Sequence, residues 1–118
     1  MKKLLLMAVA PALAVMPAPA LAQAGKFGIV NKTGIDMTGV MVRRVGTPDW
    51  LPLTITPVPL TGSGGRGAAD FTNDDCAFDL RATLPDGRTI VWPGVNLCQV
   101  KTVTLNQKAG GALWVDYE

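Results

Sequence analysis

The chain has 118 residues, eleven of them basic and nine acidic, and 48% of its residues are hydrophobic. This length suits a single domain. The sequence contains no histidine, the side chain most often used for general acid–base catalysis and a common metal ligand. We therefore expect no histidine-based active site and no cofactor.

Residues 1–22 are typical of a secretory signal peptide. Two lysines precede a short apolar run, and the segment ends in Ala20-Leu21-Ala22, so we predict cleavage between Ala22 and Gln23. Three prolines interrupt the segment, and its apolar run falls short of the roughly 20 residues that a membrane helix needs. We expect the mature chain, residues 23–118, to be one periplasmic or secreted domain without a membrane span.

The charge of the mature chain differs from that of the whole sequence. Cleavage would remove Lys2 and Lys3 and leave nine basic and nine acidic residues. The adjacent pair Arg43-Arg44 does not make a basic patch, because neighbouring side chains of a strand point to opposite faces. A neutral domain without a basic face is a poor match for nucleic acid, so we expect no nucleic-acid partner.

Two β-prone segments open the mature chain. Residues 26–30 and 37–45 flank a turn at 31–34, whose asparagine and glycine tolerate positive φ. We predict that these two strands form a hairpin. Residues 47–50, Thr-Pro-Asp-Trp, have the order of a helix start, with a capping hydroxyl, a proline and an acid. This order predicts a short helical turn.

The next segment is rich in proline and glycine. Residues 53–60 alternate in polarity, but the prolines at 52, 57 and 59 each remove a backbone donor, which a central strand does not tolerate. We predict an edge strand or an extended crossover. The glycine-rich stretch 61–67 lacks the lysine and hydroxyl of a phosphate-binding loop, so we interpret it as a flexible connection.

The clearest β pattern lies between the two cysteines. Residues 76–84 have the cleanest period of two in the chain, with one apolar face and one largely polar face. Pro85-Asp86-Gly87 then predicts a tight turn into a second strand at 88–92. Pro93-Gly94 is expected to end that strand, and residues 95–98 return toward the sheet. Cys76 and Cys98 predict a disulfide, because an exported protein folds in an oxidising compartment.

Three further β segments, residues 67–71, 100–105 and 112–117, complete the prediction. The sequence thus predicts about seven or eight short strands and no segment with helical periodicity of helix length. We expect an all-β fold, either a small antiparallel sandwich of the immunoglobulin-like or Greek-key type or a small barrel.

The chain resembles a group of small, signal-peptide-bearing periplasmic proteins of Gram-negative bacteria. The shared features are N-x-T-G, a tryptophan-containing loop, a glycine-rich segment, C-x-[FW]-D-[LI], D-G and V-x-L-C. In this chain they are Asn31–Gly34, Trp50, Gly62–Gly67, Cys76–Leu80, Asp86-Gly87 and Val95–Cys98. The resemblance implies an exported β domain and transfers no site residue.

Aspartates are the remaining candidates for metal binding or catalysis. A cluster within six residues offers oxygens suited to Ca²⁺; its members are Asp70, Asn73, Asp74 and Asp75. Asn-Asp pairs are also ordinary turn residues. We therefore expect a turn here and leave ion binding open. Asp79 and Asp86 could serve an Asp-dependent hydrolase. We expect instead that both have solvated or salt-bridged structural roles, and that the protein is not an enzyme.

The three tryptophans are the candidate binding residues. Trp50, Trp92 and Trp114 could form a platform for a carbohydrate or a protein, or they could fill the core of a small domain. We predict a non-catalytic exported β domain that interacts with another envelope or extracellular protein, or with a glycan. The proline-rich edge could either block strand addition or present itself to a partner. The sequence leaves the ligand and the oligomeric state open.

Overall fold

In the computed structural model, which describes residues 25–118, the chain folds into β-strands without a helix. No helix in this part of the chain is therefore long and apolar enough to span a membrane. The predicted signal peptide and the cleavage site after Ala22 lie outside the described residues. The nine strands are β1 (Phe27–Lys32), β2 (Gly39–Arg44), β3 (Leu51–Pro52), β4 (Thr54–Thr56), β5 (Gly65–Asp70), β6 (Ala77–Thr83), β7 (Thr89–Asn96), β8 (Thr102–Gln107) and β9 (Leu113–Tyr117).

Two sheets pack face to face around one apolar core. The first has five strands in the order β4-β5-β1-β8-β9, and the second has four in the order β3-β2-β6-β7. Both sheets contribute inward residues to the same core, among them Ile29, Val103 and Leu105 from the first and Val42, Leu80 and Trp92 from the second. The all-β prediction is confirmed, and of its two forms the domain is a sandwich.

One strand pair departs from the expected antiparallel arrangement. β1 lies between β5 and β8. It runs antiparallel to β5, whereas it runs parallel to β8, with Gly28 opposite Thr102. Parallel neighbours cannot be joined by a tight turn. In this domain the chain passes through β2 to β7 before it returns beside β1.

The predicted hairpin between the first two strands is wrong. β1 belongs to the five-stranded sheet and β2 to the four-stranded one. The buried side chain of Asn31 holds the crossing between them, because its Nδ2 donates to the carbonyls of Ile35 and Leu60 at 2.8 and 2.9 Å. Its Oδ1 accepts from the amide of Thr33 at 3.0 Å. These bonds turn the chain toward the other sheet and away from β1.

The proline-rich segment forms two short edge strands. β3 lies at one edge of the four-stranded sheet, and β4 lies at an edge of the five-stranded sheet. Between them the buried Leu53 donates its amide to the carbonyl of Val40 at 2.9 Å. The two alternatives predicted for this segment, an edge strand and a crossover, are therefore both present. These two strands also raise the number of strands to nine.

The predicted helical turn at residues 47–50 is also wrong. These four residues have no regular secondary structure. The hydroxyl of Thr47, which was expected to cap a helix, donates backward to the carbonyl of Arg44 at 2.8 Å. The amide of Thr47 donates to the same carbonyl at 3.1 Å. The chain therefore makes one tight turn after β2, and Trp50 leads directly into β3.

The hairpin of β6 and β7 and the disulfide Cys76–Cys98 confirm the predictions for the central stretch. One detail differs, because β7 continues through Pro93 to Asn96. The chain bulges there, and Leu80 faces Trp92 while Phe78 faces Val95. Since β7 is an edge strand, the missing amide hydrogen of Pro93 does not interrupt the ladder with a further strand.

Candidate functional site

A cluster of charged and aromatic side chains lies on the outer face of the four-stranded sheet. We call it the Trp50 cluster, and its members are Arg43, Trp50, Asp79 and Arg81. Alternation along β2 and β6 directs Val42 and Leu80 into the core and turns their neighbours outward. The strand register sets Arg43 opposite Asp79, and Arg81 opposite Met41. Three of the four members therefore come from two adjacent strands.

Asp79 is held in one position by two donors. Its Oδ2 accepts from Nε of Arg43 at 2.9 Å, and its Oδ1 accepts from the amide of Gly94 at 2.9 Å. Only 9% of the Asp79 side chain is exposed, against 33% of Arg43. The bulge in β7 supplies the second donor, and Gly94 adopts a φ of 66° there, a conformation that favours glycine.

The protonation of Asp79 follows from these contacts. Burial alone would raise the pKa of the Asp79 carboxyl, but the hydrogen bonds from Arg43 and the Gly94 amide, together with the charge of Arg43, outweigh burial and lower it. Asp79 is thus a fixed anion at neutral pH, already bound by two donors. This arrangement does not suit a group that must exchange protons during catalysis.

Replacing Asp79 with asparagine is expected to destabilise the protein by about 2 kcal/mol near neutral pH, because an amide cannot accept from both donors as an anion does. A lowered native pKa stabilises the fold above the unfolded value of about 3.9, and that contribution is lost as the pH falls through the native pKa. The difference between the two proteins should therefore shrink in acid.

Urea unfolding across the acidic range measures this difference. Asp86→Asn is the matched control, because Asp86 pairs with Arg88 in an exposed turn and exposed ion pairs contribute little. A penalty for Asp79→Asn that stays constant down to the lowest pH would show that the ion pair is not its source.

Trp50 stacks on two arginines. The guanidinium carbons of Arg43 and Arg81 each lie 4.4 Å from the centre of the Trp50 ring. At this distance a guanidinium is attracted to the negative face of an indole. Trp50 itself is only partly buried. The outer face of the sheet therefore presents an aromatic ring flanked by two positive groups.

Only one of these two guanidinium groups forms an ion pair with a carboxylate within residues 25–118. Arg43 pairs with Asp79, whereas no ion pair is formed by Arg81 in this part of the chain. Nε of Arg81 is buried without a hydrogen-bond partner there, and the hydrogen bond that its Nη2 donates in this part of the chain goes to the sulfur of Met41, at 3.7 Å. The Trp50 cluster therefore carries one excess positive charge and unused N–H donors.

The other predicted binding residues lie elsewhere. Trp92 is 2% exposed, and its indole N–H donates to the carbonyl of Asn106 at 3.0 Å, which joins the two sheets through the core. Trp114 is 41% exposed but belongs to β9 of the five-stranded sheet. The three tryptophans therefore do not form one platform, and Trp92 follows the core interpretation.

The acidic cluster near the start of β6 has the geometry of a turn. Oδ1 of Asn73 accepts from the amide of Asp75 at 2.9 Å, and Asp75 pairs with Arg44 at 3.2 Å. Within residues 25–118, no group of three or more acidic, cysteine or histidine side chains is placed to hold a metal ion. This applies to Asp70, Asn73, Asp74 and Asp75 as well.

Sequence reasoning did not identify Arg43 and Arg81 as the neighbours of Trp50. Alternation predicts that both arginines and Asp79 point away from the core. It also suggests that Asp79 lies beside Arg81 of the same strand, whereas the ion pair is formed with Arg43 of the adjacent strand. The missing information was the register between β2 and β6, which are separated by more than thirty residues.

Comparisons with known proteins do not identify a family. No protein-family model matches the chain, and no curated protein matches it. Among solved structures, the chain is similar to one described as the NMR structure of the protein from Eubacterium rectale. The two share 15% sequence identity over 80% of this chain and 87% of the other, with a TM-score of 0.48. A likeness of this size identifies neither a site nor a function.

Proposed function

We propose that the protein is an exported, non-catalytic binding protein of the cell envelope, and that it contacts another envelope or extracellular protein through the Trp50 cluster. The observation that carries this proposal is the uncompensated guanidinium of Arg81 beside the ring of Trp50. A guanidinium binds carboxylates through paired hydrogen bonds. The ligand in this proposal is therefore an acidic segment with an apolar part that covers the indole.

Export is supported by two features of the chain. The first 22 residues have the pattern of a signal peptide, and a disulfide joins Cys76 to Cys98. Disulfides persist in oxidising compartments and are rare in the cytosol. On this basis we place the protein in the periplasm or outside the cell, with residues 23–118 as its mature form.

A protein ligand is favoured over a carbohydrate by the composition of the Trp50 cluster. The cluster joins one indole ring to two guanidinium groups, and tryptophan and arginine are among the residues most enriched at the energetic centres of protein interfaces. A glycan with acidic sugars is the second candidate, because it could stack on Trp50 and place a carboxylate near Arg81.

The non-catalytic part of the proposal rests on the two aspartates that a hydrolase would need. Asp79 is bound by Arg43 and Gly94, and Asp86 accepts from both the amide and the side chain of Arg88. These hydrogen bonds from Arg88 also lower the pKa of Asp86. Neither carboxyl is suited to donate a proton near neutral pH, so an Asp-dependent hydrolase is the least favoured alternative.

Substituting Arg81 with glutamine is expected to reduce binding of an acidic peptide by about tenfold or more, because it removes the positive charge and the paired donors. The probe is a synthetic peptide of alternating glutamate and leucine, and an oligomer of uronic acids tests the glycan alternative. Titration calorimetry at low salt measures both. Arg66→Gln is the matched control, since Arg66 lies on β5 of the other sheet.

Trp50→Ala should weaken the same interaction, with the secondary structure measured by circular dichroism to confirm that the variant folds. Preferential binding of the uronic-acid oligomer would favour the glycan. Equal binding of the acidic peptide by wild-type protein, Arg81→Gln and Arg66→Gln would mean that the Trp50 cluster is not the binding site.

A further inference from the structure

The four sheet edges of the sandwich differ in how well they are protected against a further strand. β3 has two residues and ends in Pro52, and β4 has three residues and is followed by Pro57 and Pro59. β7 is bulged and contains Pro93. Short strands, prolines and bulges are the usual means by which proteins prevent edge pairing. By contrast, β9 is a regular strand of five residues without proline or glycine.

The hydrogen bonds between β8 and β9 show which backbone groups of β9 point outward. Glu118 donates to the carbonyl of Thr102 at 2.9 Å and accepts from its amide at 3.3 Å. Such bonded pairs alternate with unbonded ones in an antiparallel ladder. The backbone amides and carbonyls of Trp114 and Asp116 therefore point toward β8. Those of the alternate residues point toward the open edge; these residues are Leu113, Val115 and Tyr117.

These outward backbone groups have no partner within residues 25–118. β9 pairs there with β8 alone, and no other backbone or side-chain hydrogen bond in this part of the chain involves the amides or carbonyls of the three residues. The edge therefore offers three amide donors and three carbonyl acceptors at the spacing of a strand. The phenolic oxygen of Tyr117 accepts from the amide of Asn96 in β7 at 3.1 Å, which orients this side chain at the end of the edge.

The side chains of β9 indicate what kind of strand would fit. Leu113 and Val115 pack partly against the core, so a neighbouring strand would meet apolar groups on that side. On the other side it would meet Trp114, which is 41% exposed, and two acids, Asp116 and Glu118. No basic residue lies in β9 or directly after it. Opposite charges across a strand pair are stabilising and like charges destabilising.

We propose that β9 is a strand-addition site for an extended segment of a partner protein in which apolar and basic residues alternate. The apolar residues would cover Leu113 and Val115, and the basic ones would face Asp116 and Glu118. The backbone groups of the added segment would bond with the three outward residues of β9. This site lies on the other sheet from the Trp50 cluster and takes a ligand of opposite charge, so it goes beyond the function proposed above.

A second copy of the same chain is a poorer match for this edge. If two β9 strands paired antiparallel with their Val115 residues opposite each other, their outward backbone groups would align. This pairing would also put the Asp116 side chains of the two copies on the same face, at the diagonal separation of roughly 7–8 Å. Two like charges at that distance oppose the pairing, so the charge of β9 favours a basic partner.

The test uses a short, blocked peptide of alternating valine and lysine, titrated into the purified protein. The variant Val115→Pro removes an amide that points away from β8, so the ladder with β8 keeps its bonds. It is expected to weaken peptide binding by about tenfold or more, because proline removes a donor and blocks the approach of a strand. Val115→Ala is the matched control and should bind within about threefold of wild type, since it keeps the amide.

Hydrogen exchange tests the same site without a variant. In the free protein the amides of Leu113, Val115 and Tyr117 should exchange faster than those of Trp114 and Asp116, and the peptide should protect the first group selectively. Four results would overturn the proposal: no peptide binding, equal binding by Val115→Pro, equal binding of a valine–glutamate peptide, or a dimer that Val115→Pro dissociates. None of these depends on Arg81, so the two proposals fail separately.

Discussion

Replacing Trp92 with alanine is expected to lower the free energy of unfolding by about 4 kcal/mol. Trp92 belongs to the largest fully buried side chains of the domain and is 2% exposed. Its removal would leave a cavity between the sheets, where β6 and β7 pack over β8, and would delete the indole hydrogen bond to the carbonyl of Asn106. Because domains of this size have total stabilities of about 5–10 kcal/mol, the variant should be close to unfolding at 37 °C.

Chemical denaturation monitored by circular dichroism measures the effect. Trp114→Ala is the matched control, because Trp114 is 41% exposed and truncating an exposed side chain changes stability little. Trp92→Phe helps to separate the two contributions, since it keeps most of the volume but loses the N–H donor, whose loss costs about 1–2 kcal/mol. If Trp92→Ala and Trp114→Ala were equally stable, Trp92 could not be a core residue.

Removing the disulfide in the double variant Cys76→Ala/Cys98→Ala is expected to cost about 3 kcal/mol. In the chain-entropy model this is the value for a closed loop of the 22-residue separation seen here. The bridge joins the chain just before β6 to the chain just after β7, so it closes the open end of their hairpin. The loss should lower the melting temperature by about 15 °C in a domain of this length.

Thermal unfolding with and without a reductant provides the comparison. Wild-type protein treated with a phosphine reductant should melt near the temperature of the double variant, and the double variant should not respond to the reductant. Mass spectrometry after alkylation confirms that both thiols were free. An unchanged melting temperature for fully reduced wild-type protein would contradict the stabilising role of the bridge.

Local patterns predicted the elements of this fold better than their partners. The alternation at residues 76–84 and the Pro85-Asp86-Gly87 turn predicted the β6–β7 hairpin, because both signals act between neighbours in the chain. The same reasoning joined β1 to β2, which lie in different sheets. Alternation assigns the two faces of a strand, but it does not specify the strand that lies beside it.

The glycine-rich stretch shows a second reason for error. Its composition suggests flexibility, but Gly62 is buried, and a Cβ at this position would lie 2.2 Å from the backbone nitrogen of Ile35. The glycine allows two backbone segments to approach closely, and β5 begins three residues later. Composition alone does not distinguish a mobile glycine from one required by packing.

The Trp50 cluster depends both on local residue type and on pairing between strands that are distant in the sequence. Trp50 and Asp79 were recognised as candidates from residue type. Their positions depend on the pairing of β2 with β6 and on the bulge that brings Gly94 to Asp79. A bulge changes the register by one residue and re-aims the groups beside it. No local pattern in residues 88–96 predicts it, since Pro93-Gly94 is more typical of the end of a strand.

The parallel pairing of β1 with β8 bears on how fast the domain can fold. β1 starts at Phe27, and its parallel neighbour ends at Gln107. Pairing of segments so distant in sequence slows folding, because the intervening chain must first lose its conformational freedom. The contact between β1 and β8 in the five-stranded sheet can therefore form only after β8 is available, whereas the β6–β7 hairpin joins neighbouring segments of the chain.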